Sequence, residues 1–136
     1  MKNRMVLKVE ERPAKGELKK HNVERGKRYV FVDKKNYPGG KMYALARVVT
    51  DIRRPYESAS PRKHSVDALM LFLGRKKGLK GLRVEVDLGR STHRLESPAA
   101  VYVPARTRHT YRILRGSGMY LKVVLAPGGD YNAVTT

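Results

Sequence analysis

Leu82, Val84, Val86 and Leu88 alternate with Arg83, Glu85, Asp87 and Gly89. A period of two puts the four apolar side chains on one face of an extended chain, the pattern of a half-buried strand. No segment sustains the 3.6-residue period of an amphipathic helix. The other apolar runs are short: 28–33, 41–50, 67–74, 99–104, 109–114 and 119–125. Turn residues stop each of them. Asn36–Gly40 is a turn cluster, 51–63 carries two prolines and two serines, and 75–81 (RKKGLKG) reads as a basic hairpin loop. The polar connection Gly89–Pro98, the basic turn 105–108, the turn Arg115–Gly118 and the stop Pro127–Gly129 complete the punctuation. Seven or eight short strands spaced this way predict an all-β sandwich or barrel and exclude a parallel α/β fold.

Residues 1–27 read differently. Val6, Leu7 and Val9 suit a short edge strand, but 10–26 holds Pro13, Gly16 and Gly26 among charges and has no apolar face. The expected organisation is an N-terminal arm, 1–27, and one barrel domain, 28–136, since 136 residues suit a single domain. No apolar run is long enough to span a membrane. With no cysteine there is no disulfide framework, thiolate nucleophile or cysteine-based zinc site, and a cytoplasmic setting is expected.

The chain carries 30 Lys and Arg against 12 Asp and Glu, a formal charge of +18. Such a field concentrates anions of every kind, from nucleic acid to small carboxylates and phosphates. The basic residues cluster at Lys15–Arg28 and Arg75–Lys80, both in expected loops. No aromatic stacking platform or recognition helix accompanies them.

Within Val101–Ile113, Pro104 ends one alternating run, a three-residue basic turn follows, and His109 opens the next run. Arg62-Lys63-His64, Gly74 after the next strand, and Pro104 five residues before His109 resemble the two motifs of the cupin family. The likeness covers about residues 42–131 and implies a double-stranded β-helix, a jelly-roll barrel. In that family the first motif is His-x-His followed by Glu, the second is Pro-x-Gly-x-x-His, and the three histidines and the glutamate hold a metal. Here His64 and His109 take two of those positions. Arg62 replaces the first histidine, Ala68 stands at the glutamate position, and Arg106 replaces the motif glycine.

The resemblance implies one divalent ion (iron, manganese, nickel or zinc) only if another carboxylate joins the histidines. Asp67 is the nearest in sequence, giving a metal set of His64, His109 and Asp67, with His93 as a further stand-in. The alternative is an anion site. Arg62 shares a strand face with His64, Arg106 and Arg108 flank His109, and a guanidinium grips carboxylate or phosphate in place of a metal. His64 and His109 are then the acid/base pair, and Tyr102 and Tyr111 either orient substrate or pack. The expected function is an enzyme acting on a small anionic metabolite, of oxygenase, isomerase or lyase type. A non-catalytic sensor for an acidic ligand and a basic nucleic-acid binder are the alternatives. Exposed barrel edges and the N-terminal arm predict a homodimer.

Overall fold

The computed structural model describes residues 5–13, 26–57 and 61–136. Among them nine strands form: β1 (Glu10–Glu11), β2 (Lys27–Val32), β3 (Tyr43–Ile52), β4 (Tyr56–Glu57), β5 (Ala68–Gly74), β6 (Leu82–Leu88), β7 (Ser91–Glu96), β8 (Ala99–Val103) and β9 (His109–Val124). All neighbours pair antiparallel, and the architecture is the all-β jelly roll expected from the alternating pattern. β9 joins its two walls. From His109 to Gly116 it pairs with β6, then with β3 on one side from Gly116 to Val124 and with β5 on the other from Gly118 to Val124.

The passage between walls falls at glycines. Gly116 lies opposite both Ile52 and Leu82 and has φ +108°. A Cβ there would stand 2.0 Å from the Gly81 carbonyl oxygen, and one on Gly118 would stand 2.3 Å from that of Leu73. Only glycine admits the backbone conformation and the close approach together. The turn expected at Arg115–Gly118 is therefore a bend inside one continuous strand.

Two other connections differ from expectation. The run 75–81 is not a hairpin loop: β5 pairs with β8 and β9, whereas β6 pairs with β7 and β9, so it crosses from one wall to the other. The stretch 89–98, expected as a polar connection, contains β7, whose residues pair in unbroken register with β6. β7 is an edge strand, almost wholly exposed, so its order comes from the backbone ladder and no apolar alternation announces it. In the arm, pairing falls at Glu10 and Glu11, opposite Val30 and Tyr29, while Val6 and Val9 remain exposed. The rest of the expected arm, 1–4 and 14–25, lies outside the described residues.

Inward residues follow from register. Tyr43, Leu45 and Arg47 of β3 face Val124, Lys122 and Tyr120 of β9, which face Ala68, Met70 and Phe72 of β5. The other wall contributes Leu82, Val84 and Val86, opposite Gly116, Ile113 and Tyr111. All of these side chains but Arg47 and Lys122 belong to the apolar core. On the outer face of the first wall, Leu69, Leu71, Leu121 and Val123 stay half-buried. No helix among the described residues is long and apolar enough to cross a membrane.

Candidate functional site

Arg62 and His109 form an antiparallel bridge: Arg62 N–H donates to the His109 carbonyl at 2.9 Å and His109 N–H to that of Arg62 at 2.8 Å. Directly opposed residues project from the same face, so the guanidinium and the imidazole share one patch of wall. Two residues on, His64 points the same way, and its ring centroid is 4.8 Å from that of His109. Arg62 is 1% exposed, His64 2% and His109 1%. The barrel encloses all three.

Hydrogen bonds set both tautomers. His109 Nδ1 lies 2.9 Å from the Thr107 carbonyl oxygen, which can only accept, so Nδ1 carries the proton. His64 Nδ1 lies 3.0 Å from Thr135 Oγ1. That hydroxyl spends its own proton on the Tyr131 carbonyl at 2.7 Å, so His64 Nδ1 must donate as well. In the neutral imidazoles both lone pairs therefore sit on Nε2, and both Nε2 atoms are buried.

The remaining sequence candidates fall elsewhere. Asp67 precedes Ala68, Met70 and Phe72, whose side chains turn inward, so by alternation it lies on the outer face with Leu69. Its carboxylate accepts from the Tyr102 hydroxyl and, at 2.7 Å, from Ala105 N–H. These bonds, Tyr102 first, hold the Asp67 carboxyl below the usual carboxylate range, and the same contact pushes the Tyr102 phenol up. Tyr102 is 59% exposed and faces away from the barrel interior. Tyr111 points inward but packs against Tyr120 at 4.3 Å and Phe72 at 5.9 Å between ring centroids. Arg106 and Arg108 sit on the rim, and Arg106 backbone N–H donates to the His64 carbonyl at 2.6 Å. His93 is exposed on β7, with Nε2 2.9 Å from the Ser91 hydroxyl.

A divalent ion does not fit this donor set. Among the described residues no three His, Asp or Glu side chains converge on one point. Two imidazoles leave such an ion short of ligands, and the group opposite His109 is a guanidinium, which repels it. The structure brings together Arg62, His64 and His109, and does not bring Asp67, Tyr102 or His93 to them.

What sequence reading missed is the charge deeper inside. Arg28, assigned to a surface cluster, is 2% exposed and donates to the Tyr43 hydroxyl at 2.7 Å. Arg47 is 3% exposed and Lys122 1%. Among the described residues the buried charged side chains are thus Arg28, Arg47, Arg62 and Lys122, with Asp33 as the one carboxylate. Asp33 is bound by Arg12 and by the N–H groups of Lys35 and Asn36, both at 3.0 Å. The cluster 75–80 is exposed on the crossing loop, and most of the cluster at 15–28 lies outside the described residues. A cleft of ≈ 290 Å³ opens beside His109, lined by Pro61, Arg90, Thr92 and Arg108 among others.

No protein-family model matches the chain, and no curated protein matches it in sequence. Solved structures do match in shape. KdgF from Halomonas sp. superposes with TM-score 0.55 at 19% identity, covering 81% of this chain and 89% of that one. A protein from Planctomyces limnophilus gives TM-score 0.53 at 16% identity, covering 88% and 89%. Oxalate decarboxylase from Bacillus subtilis gives 0.57 at 14% identity, covering 88% of this chain but 30% of that one. At such identities the likeness is one of fold, and with cupin-superfamily structures among these neighbours the chain is a small protein of the cupin fold.

Proposed function

We propose that the barrel interior around Arg62, His64 and His109 receives a small carboxylated or phosphorylated metabolite, and that the two imidazoles move a proton on it. One observation carries this reading: a buried guanidinium directly opposes a buried imidazole, with a second imidazole 4.8 Å from the first. The guanidinium offers a planar fork of donors suited to carboxylate or phosphate, and each Nε2 lone pair is an acceptor for a proton. A ligand that answers both carries an acidic O–H or C–H beside its anionic group. With one imidazole neutral and the other protonated, the pair removes a proton at one atom and returns one at another. Isomerisation and elimination need no more than that, and the field of the +18 chain draws such ligands in.

Thermal-shift titration with carboxylates and phosphates tests the binding half, at ionic strength matched with chloride because screening alone stabilises so basic a chain. A ligand at about a hundredfold over its Kd adds about 2.7 kcal/mol to stability. Arg62→Met is expected to abolish the gain. If no carboxylate or phosphate raises the wild-type melting temperature beyond the chloride control, the reading is wrong. Proton transfer is read separately, as deuterium incorporated into the bound ligand in heavy water and lost in His109→Ala. A ligand that binds without exchange makes the protein a sensor and not an enzyme.

A further inference from the structure

The outer face of the first wall carries rows of side chains without a charge. Inward residues fix the phase of each strand, so the residues between them point out, and register aligns them across strands. Ala44, Val123, Leu69 and Tyr102 form one row from β3 through β9 and β5 to β8, and Ala46, Leu121, Leu71 and Ala100 form the next. A third row runs through Val48, Met119 and Leu73, and ends on β2 in a cation, Lys27. Leu69, Leu71, Leu121 and Val123 are half-buried, while Ala100 and Tyr102 are exposed. Asp67 borders the face with its carboxylate bound by Tyr102.

The second wall is built the other way. Outward from β6 and its half of β9 stand Glu85, Asp87 and Arg112. Arg112 bonds both carboxylates at 2.8 Å, and Arg94 of β7 bonds Glu85 at 3.0 Å. Charged residues make up 31% of the chain, so three adjoining rows without one between β3 and β8 set this face apart from the rest of the surface.

What covers the face follows from its charge and shape. Nucleic acid and anionic lipid are gripped through cations, which these rows lack. A second copy offers a flat apolar sheet in return, and two chains of charge +18 repel least where neither presents a cation. Strands about 4.8 Å apart, rising about 3.4 Å per residue, give β2, β3, β9, β5 and β8 over the length 119–125 a face of roughly 24 by 24 Å. Two such faces cover on the order of 1,100 Å², and a specific interface needs about 1,000 Å². Edge pairing is the weaker route. β8 ends the sheet, but Pro98 and Pro104 bracket it and supply no N–H.

We propose that the protein is a dimer in which this face of one copy packs on the same face of the other, sheet on sheet about 10 Å apart. Leu71 and Leu121 lie at the centre of the contact, and the anion site proposed above takes no part in it. Neither the N-terminal arm nor the barrel edges hold this dimer together.

Sedimentation velocity of the full chain, up to about 100 µM, tests this. The wild type is expected at twice the chain mass. Raising sodium chloride from about 0.05 to about 0.5 M is expected to tighten the dimer, because screening removes repulsion and leaves the apolar contact intact. Leu121→Lys sets a cation from each copy at the centre and is expected to weaken association on the order of a hundredfold or more. Leu114→Lys, the same change on the second-wall half of the same strand at a half-buried position outside the core, is expected to leave it unchanged. Ala100→Lys, at an exposed position of the face, is expected to weaken it too and serves if Leu121→Lys does not fold. A wild type that is monomeric at about 100 µM overturns the proposal. So does a dimer that added salt loosens, or one that survives both lysines on the face, as strand exchange through the arm would.

Discussion

Thr135→Val tests the hydrogen-bond chain that orients His64. Valine keeps the shape and removes one oxygen, which accepts from His64 Nδ1 at 3.0 Å and donates to the Tyr131 carbonyl at 2.7 Å. Both contacts are buried, since Thr135 is 8% exposed and His64 2%. The substitution strips a donor and an acceptor of their partners, at about 1 to 3 kcal/mol for each buried polar group left unsatisfied. Because buried groups relax in part toward new partners, the low end of the combined range is expected, about 2 to 3 kcal/mol. An unfolding entropy of about 2 cal/mol/K per residue converts this to a melting-temperature loss of about 7 to 10 °C. Stability alone does not isolate the imidazole, so the second readout is its tautomer, from long-range nitrogen–proton correlation spectra. Wild-type His64 is expected to be protonated at Nδ1 when neutral, and Thr135→Val to show a mixture, while His109 keeps its Nδ1 proton through Thr107. A loss below about 0.5 kcal/mol, or a His64 tautomer unchanged in the variant, refutes the assignment.

Two further predictions test the frame around the site. Gly116→Ala forces a methyl to within 2.0 Å of the Gly81 carbonyl oxygen at φ +108°, so a loss of about 3 kcal/mol or more is expected in thermal or urea melts, and a loss under about 1 kcal/mol contradicts the bend assigned to β9. Asp67 has its folded pKa lowered by Tyr102 and Ala105 N–H, so its contribution to stability is present above the unfolded carboxylate value and is lost as pH falls through the folded one. The gap in melting temperature between wild type and Asp67→Asn is therefore expected to be larger near about pH 6 than below about pH 4, and a gap that widens in acid counts against the Asp67–Tyr102 bond.

How much of this was legible depends on what each residue needed from the rest of the chain. Leu82 to Leu88 declares itself because one face is buried and the other wet, so a period of two survives in the letters. β7 does not, because both its faces meet solvent and only its backbone is specified. Gly116-Ser117-Gly118 carries the letters of a turn, yet strands pair on both sides of it, and what the glycines supply is close approach between backbones. Local composition cannot separate those two uses of glycine.

The site divides the same way. Motif spacing finds His64 and His109, and Arg62 is found by standing where a histidine is expected. Asp67 is a candidate for its nearness in sequence, but a displacement of one residue along a strand reverses the face, and Asp67 is one residue out of phase with the inward set. The same parity, applied to MYLKVVL, finds Lys122: Tyr120, Lys122 and Val124 share a face, and two of the three are plain core residues. Arg28 follows by the same step from Val30. The signal is the phase of a charge relative to its apolar neighbours, and the +18 total conceals it by making every cation look like surface. A lysine in phase with a core is placed there against its solvation, and its Nζ answers part of that cost by donating to the Tyr131 hydroxyl at 3.1 Å.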